Sequence, residues 1–436
     1  MKELRPTCPL IAGPNKVKAL LAKIDAITSS KGWHTLADIW PALIALALPW
    51  STSAVGIIAI FWLVSVLGTI RTHPFLEALA LPASWIPVAF FSLGVLGMFW
   101  TRDPWLARLQ GLEPLLRLLF LPLILYQYRR SAHAHWVFYG FLASCTILMV
   151  ISWMLFFFPQ MRFTKAHGFD VTGIPVRNAI DQGHEFALCC FGLIYALWRS
   201  MHRKQLLSLA LYSILLGGFI LNLLFVAFSR TIAVYVVPVL LLFAFKYFSG
   251  RLLLVVLITF GGSLFLAWQS SPVLRGRLMN VTIEYQQYVD ANRPTSLGQR
   301  LAYWEASLAW IQRAPLLGNG TGSTKRLFAA EAAGKEGAWS EAVRNPHNQT
   351  LYVAVQWGLV GSLLLYSMWF IHLSLFRGTS FVAWIGACIV LQNMLSSLLN
   401  SHLFDFAEGW IYVLGVGVAG GLTSKVVAPA QQDLES

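Results

Sequence analysis

The sequence predicts an all-α polytopic membrane protein, with about twelve transmembrane helices and one large polar loop that itself contains amphipathic helices. Three observations carry that fold class. Of the 436 residues, 57% are hydrophobic and 12% are charged, against about 25% charged in a soluble domain. The apolar residues fall in runs of roughly 17 to 25, the length that crosses a bilayer as a helix. These runs lack the two-residue alternation of a membrane barrel strand. Lipid offers the backbone no hydrogen-bond partner, so the runs must satisfy their own N–H and C=O groups as helices.

In chain order, residues 1–35 are polar and basic without an apolar stretch, which predicts a cytoplasmic N-terminal segment and no cleaved signal peptide. Nine spans are expected within 36–268, near 37–52, 54–70, 84–100, 113–128, 136–158, 185–199, 206–228, 231–248 and 252–268. A medium loop covers 159–184, and a polar segment of about eighty residues covers 269–348. Three more spans follow within 349–427, near 349–373, 380–399 and 409–427, before a cytoplasmic tail at 428–436, "APAQQDLES".

Inside the polar segment, "SLGQRLAYWEASLAWIQRAPLLG" places Leu301, Trp304, Leu308 and Ile311 at helical spacing, with Ser296 expected as the N-cap and Pro315 closing the helix. "RGRLMNVTIEYQQYVDANR" predicts a second amphipathic helix. Two such helices can roof a cavity between spans. "GNGTGS" at 318–323 follows no strand and is expected as a flexible turn rather than an anion-binding nest.

The formal charge of +13 belongs in such a protein to orientation and anionic lipid rather than to nucleic acid. With the N-terminus in the cytoplasm, sixteen Lys and Arg fall in or beside the cytoplasmic segments and six, including Arg162 and Lys165, in the short outer loops. Arg102, Arg162, Arg177, Arg230, Arg300 and Arg344 nevertheless stand on the outer side, where the orientation rule would keep few. Lipid phosphates at the outer head groups explain any one of them; a shared anionic ligand explains the set.

Several chemistries find no support. There is no phosphate loop ending in Lys-Ser/Thr, no His-Glu-x-x-His and no Cys-x-x-Cys, so neither ATP-driven transport nor a metal site is expected, and no cofactor is implied. Cys145, Cys189, Cys190 and Cys388 lie in apolar runs and are expected as small core residues, with Cys8 in the polar N-terminus. Arg117, within a predicted span, is costly in lipid and should face protein or water, and a structural ion pair is expected. His184 and Glu185 have the ordinary polarity of an interface, with sugar contact as the other reading.

The outer side does collect one suggestive set. Arg230 in "FSRT", Arg300 on the loop helix, Arg177 in "VRNAIDQGHEF" and His347 in "RNPHNQTLYVAVQWGLVGS" can all meet near the outer surface. A guanidinium stays charged and grips phosphate oxygens in pairs, whereas an imidazole titrates near neutrality and takes a proton from an attacking hydroxyl. Together they suit glycosyl transfer from a polyprenyl-pyrophosphate donor. Each residue also has a plainer reading: His347 as a cap or anchor at a helix mouth, Arg230 as a snorkelling anchor, Asp405 as either an orienting carboxylate or a solvated one.

"FSRT", "GQRLAYWEASLAWIQRAPLLGNGTGS" and "HNQTLYVAVQWGLVGS", in this order over roughly 174–372, resemble the successive signatures of the O-antigen ligase and polymerase superfamily. The resemblance implies a GT-C-like, inverting, metal-independent glycosyltransferase of the bacterial inner membrane, with its active site facing the periplasm. His347 would be the catalytic base. Arg230 and Arg300 would hold the donor pyrophosphate, and Arg177 would do so as a second-rank candidate. Asp405, Asn348 and Arg344 would orient the base or touch substrate. The implied donor is an undecaprenyl-pyrophosphate-linked glycan and the implied acceptor lipid A–core, both reached through membrane lipid. A polymerase, a protein O-oligosaccharyltransferase and, outside the enzymes, a lipid-linked glycan flippase remain alternatives.

Overall fold

The computed structural model describes residues 25–161, 172–340 and 343–425. The expectations for Cys8, for the basic residues before position 24, for Arg162 and Lys165 and for the polar tail lie outside those residues. Among the described residues the chain is helical and has no strand.

The helices run α1 (Lys31–Ala47), α2 (Thr52–Thr69), α3 (Thr72–Leu79), α4 (Pro82–Gly97), α5 (Trp105–Leu116), α6 (Phe120–Tyr128), α7 (His135–Phe157), α8 (Ala179–His202) and α9 (Leu206–Phe225). They continue with α10 (Arg230–Tyr247), α11 (Gly250–Ser270), α12 (Pro272–Ala291), α13 (Ser296–Arg313), α14 (Thr324–Ala332), α15 (Gln349–Ser374), α16 (Phe381–Ser396) and α17 (Phe406–Thr423).

Among the described residues eight stretches are long and apolar enough to cross a membrane, or nine if α3 and α4, bent by 78° at the break between them, form one span. The other three expected spans coincide with α1, α8 and α16. Helices α1 and α16 are short, at 17 and 16 residues, and α8 carries Asp181, Glu185 and Arg199. A polytopic membrane architecture is therefore present, and the count of twelve depends on these three helices.

Burial separates the bundle into two parts. Helices α15, α16 and α17 sit at its centre, where Trp357, Trp369, Trp384 and Tyr412 are fully buried. By contrast α11 and α12 bury no residue; the apolar flank of α11 suits a helix whose solvent is lipid. The four described cysteines are buried and free, as expected of core residues.

One local arrangement fixes the site from below. Helix α15 breaks at Gly358, whose φ of +59° only glycine adopts without strain. The break is filled by the loop after α13. Leu359 and Val360 donate their N–H groups to Pro315 and Leu316 at 2.8 and 3.3 Å, and Asn319 and Gly320 donate to the carbonyls of Val355 and Gln356 at 2.9 and 2.8 Å. "APLLGNGTGS" is therefore not a flexible turn. Thr321 and Ser323 are buried, and a Cβ on Gly318 would collide with the α15 backbone. Its amides at 319–322 bond to protein acceptors, which leaves no anion nest there. The exchange ties α13 to the helix that His347 precedes.

Two smaller expectations shift. Thr295 rather than Ser296 caps α13, its hydroxyl accepting from the Gly298 N–H at 3.0 Å. Among the described residues Arg117 has no ion-pair partner; it donates to the main-chain carbonyls of Phe404, Asp405 and Phe406. A guanidinium has donors enough to gather consecutive carbonyls, and Arg117 so holds the loop that carries Asp405.

Candidate active site

His347 is placed by what surrounds it on both sides. The next residue, Asn348, caps α15, accepting from Leu351 N–H at 3.0 Å while its amide donates to the Leu398 carbonyl. His347 stands just before the helix in the left-handed region, at φ +53°. For a non-glycine residue that conformation costs about 1–2 kcal/mol. Side chains hold it there: Asn345 Oδ1 accepts from the His347 N–H at 2.8 Å and from the Ser401 hydroxyl at 2.7 Å, and Trp304 on α13 donates to the Pro346 carbonyl at 3.1 Å. An outlier secured from several directions points to function. So His347 is not the helix cap; Asn348 is.

The imidazole is oriented by a relay that the sequence did not reveal. His347 Nδ1 lies 2.8 Å from Asn400 Oδ1, and Asn400 Nδ2 donates to Asp405 Oδ2 at 2.9 Å. The carboxylate can only accept, which fixes the amide; the amide oxygen then accepts from Nδ1–H, and Nε2 carries the lone pair. Asp405 thus acts on the histidine at one remove. Burial, the largest influence, lowers the His347 pKa below its usual 6.5, with Arg300 pushing the same way against Asn400. The ring is neutral and able to accept a proton at neutral pH. Tyr303, one turn beyond Arg300, lies with its ring centroid 6.3 Å away.

The two leading arginines differ in what they hold. Ser229 caps α10, so Arg230 opens that helix. Its guanidinium makes a two-pronged pair with Glu284 of α12, at 3.0 and 2.5 Å, and its Nε donates to the Arg277 carbonyl. Glu284 also accepts from the Leu297 N–H at 3.0 Å, joining α12 to the start of α13. Arg300 lies near enough to feel both Arg230 and Glu284, and burial followed by Arg230 lowers its pKa from 12.5. No described residue accepts a hydrogen bond from it or forms an ion pair with it. A guanidinium stays charged under such a shift. A half-buried cation lacking its own acceptor, beside a second cation and a neutral histidine, is suited to an anionic ligand.

The remaining candidates fall at varying distance from this group. Arg177 has φ +55° and donates to the Leu48 carbonyl at 2.6 Å; it approaches Asp181 at 3.7 Å and lies over the Phe406 ring. Its contacts are with α1, α8 and α17. Arg344 is exposed, next to the histidine loop. His184 and Glu185 are fully buried, so neither has interface polarity or a surface for sugar. Glu284 and Asn400 went unnoticed in the sequence because each acts on a residue far away along the chain, 54 and 53 positions respectively.

No curated protein matches the chain. A family model described as O-antigen ligase matches residues 215–366, a range that includes Arg230, Glu284, Arg300 and His347 and leaves out Arg177, Asn400 and Asp405. Over those residues the chain resembles the O-antigen ligase family, and the match supports a place in it.

Proposed function

We propose that the protein is an O-antigen ligase, which moves a glycan from undecaprenyl pyrophosphate onto a sugar hydroxyl of lipid A–core at the periplasmic face of the inner membrane. The observation that carries this is the pairing of an oriented, neutral His347 with Arg300, a cation that has no acceptor of its own among the described residues.

In the transfer, Nε2 of His347 takes the proton of the acceptor hydroxyl. The oxygen attacks the anomeric carbon, and the bond from that carbon to the pyrophosphate oxygen breaks on the opposite face, with inversion. The electron pair leaves on undecaprenyl pyrophosphate. Arg300 and Arg230 stabilise the developing charge, the electrostatic contribution that is usually largest. Arg230 reaches the pyrophosphate once the donor's oxygens replace those of Glu284. Two guanidiniums supply the charge that a divalent ion would otherwise bring to the leaving group, and no cofactor is required. Asn400 and Asp405 hold the base, Asn348 sets the helix behind it, and Arg344 and Arg177 are positions for further contacts with the anionic substrates.

The test mixes purified protein, lipid-linked glycan and lipid A–core, with and without EDTA. Transfer should persist in chelator and fall by about 10²–10⁴-fold in His347→Ala. Undiminished product from that variant would remove His347 from the mechanism. Label appearing only on a second lipid-linked glycan would establish a polymerase, label on a protein hydroxyl an O-oligosaccharyltransferase, and no new covalent product a flippase.

A further inference from the structure

Beside Asp405, His184 of α8, His402 in the loop before α17 and Glu408 in the first turn of α17 form a sealed cluster. His184 and His402 are fully buried and Glu408 is nearly so. The two imidazoles meet edge to face with centroids 4.5 Å apart. Among the described residues none of their four ring nitrogens makes a hydrogen bond, and Glu408 Oε1 makes none.

Another histidine in the same bundle shows how unusual this is. His372 is equally buried, yet its Nδ1 lies 2.6 Å from the Tyr412 hydroxyl and its Nε2 lies 2.9 Å from the Ala83 carbonyl. That is how a core histidine is ordinarily satisfied. Leaving a buried polar group unbonded costs about 1–3 kcal/mol, and here several such groups face one another.

Their spacing is that of ligands. His184 Nδ1 lies 3.4 Å and His402 Nδ1 3.9 Å from Glu408 Oε1, and one donor atom from each residue falls within 4.8 Å of the other two. Bonds of about 2.0–2.1 Å to a tetrahedral ion set neighbouring ligands roughly 3.3–3.5 Å apart. Asp405 Oδ2, 3.2 Å from His402 Nδ1, is in reach as a fourth ligand.

We propose that His184, His402 and Glu408 bind one divalent transition-metal ion, with Asp405 completing the set. Imidazole and carboxylate donors in a closed, four-coordinate site suit zinc best. The ion pins α8 to the start of α17 and, through Asp405 and Asn400, steadies the His347 ring. It is structural and touches no reacting atom, so a transfer step free of metal at the pyrophosphate is compatible with it. Its presence does not depend on which acceptor the enzyme uses.

The experiment loads full-length protein, carrying a tag without histidine and held in lipid nanodiscs, with Zn2+ alone, and measures bound metal after desalting. Wild type and His347→Ala should each retain about one equivalent, and His184→Gln and Glu408→Gln less than about a tenth of that. Folded wild type that retains none, or a His184→Gln variant that retains as much as wild type, would overturn the site. Should the variants fail to fold, wild type decides alone: Co2+ should give the visible absorption of a tetrahedral ion, and Zn2+ should raise the melting temperature. Absence of both also refutes the proposal.

Discussion

Arg230 leans on, and Arg300 is carried by, helices that bury few residues, while His347 is held against one of the most buried parts of the molecule. Arg230 reaches across to α12, which buries no residue, and α13 buries five of its eighteen. The histidine instead rests on Asn400 and Asp405, in the loop before α17, whose eighteen residues include fourteen that are buried. Packed cores resist displacement, whereas elements with few buried contacts open at low cost. The difference suits a transferase that must admit a large lipid-linked donor and still keep its base in one geometry. The cationic side can yield to the donor; the base side stays put.

The comparison can be broken most forcefully at Arg300. If the cationic side meets the leaving group, Arg300→Ala should lower kcat by about 10²–10³-fold, and Arg300→Lys should recover only part of that because it loses paired bonding. Steady-state transfer against donor concentration checks this. A variant whose KM alone rises would show that Arg300 binds donor without stabilising the transition state.

How much of this was legible in the sequence depends on the range of the interaction. The all-helical class and the amphipathic pair α12 and α13 follow from periodicity, which is local. Pro315 and the glycines beyond it are also visible, but their use is not. Filling the break at Gly358 requires two segments about forty residues apart to exchange backbone hydrogen bonds, and a glycine-rich string looks the same whether it is loose or locked. His347 and Arg300 carried recognisable chemistry in recognisable surroundings. Asn400 did not, since an asparagine near a helix end has many ordinary uses. For His184 and Glu185, polarity near an expected span end resembles exposure, and only packing reveals that they are buried.

A smaller effect sharpens the rigid side. Asn400→Ala removes the acceptor that favours protonated His347 and so weakens an already depressed base. The acid limb of the kcat profile, expected below pH 6.5 in wild type, should move to lower pH. Its plateau should fall by about tenfold as the ring loses its fixed tautomer. Asn400→Asp reverses the sign: a carboxylate on Nδ1–H raises the imidazole pKa, and the limb moves to higher pH. An unmoved limb in both variants, measured from pH 5 to 8, would leave Asn400 with packing as its whole contribution.

The smallest expected change tests the yielding side. If Arg230 binds the donor, Glu284 occupies the guanidinium that the donor would take, so Glu284→Gln should release Arg230 and lower the donor KM by about two- to fivefold, with kcat unchanged, in line with the modest worth of a partly exposed ion pair. Hydrogen bonding from Arg230 depresses the Glu284 pKa below 4.5. The pair is therefore intact above that pH and is lost only as pH falls through the depressed value, well below the range used for the Asn400 variants. The two effects can then be read independently in one pH series. A fall in kcat at constant KM would reverse the assignment. Glu284 would then be a strut that aims Arg230, and the cationic side would be as preorganised as the base it faces.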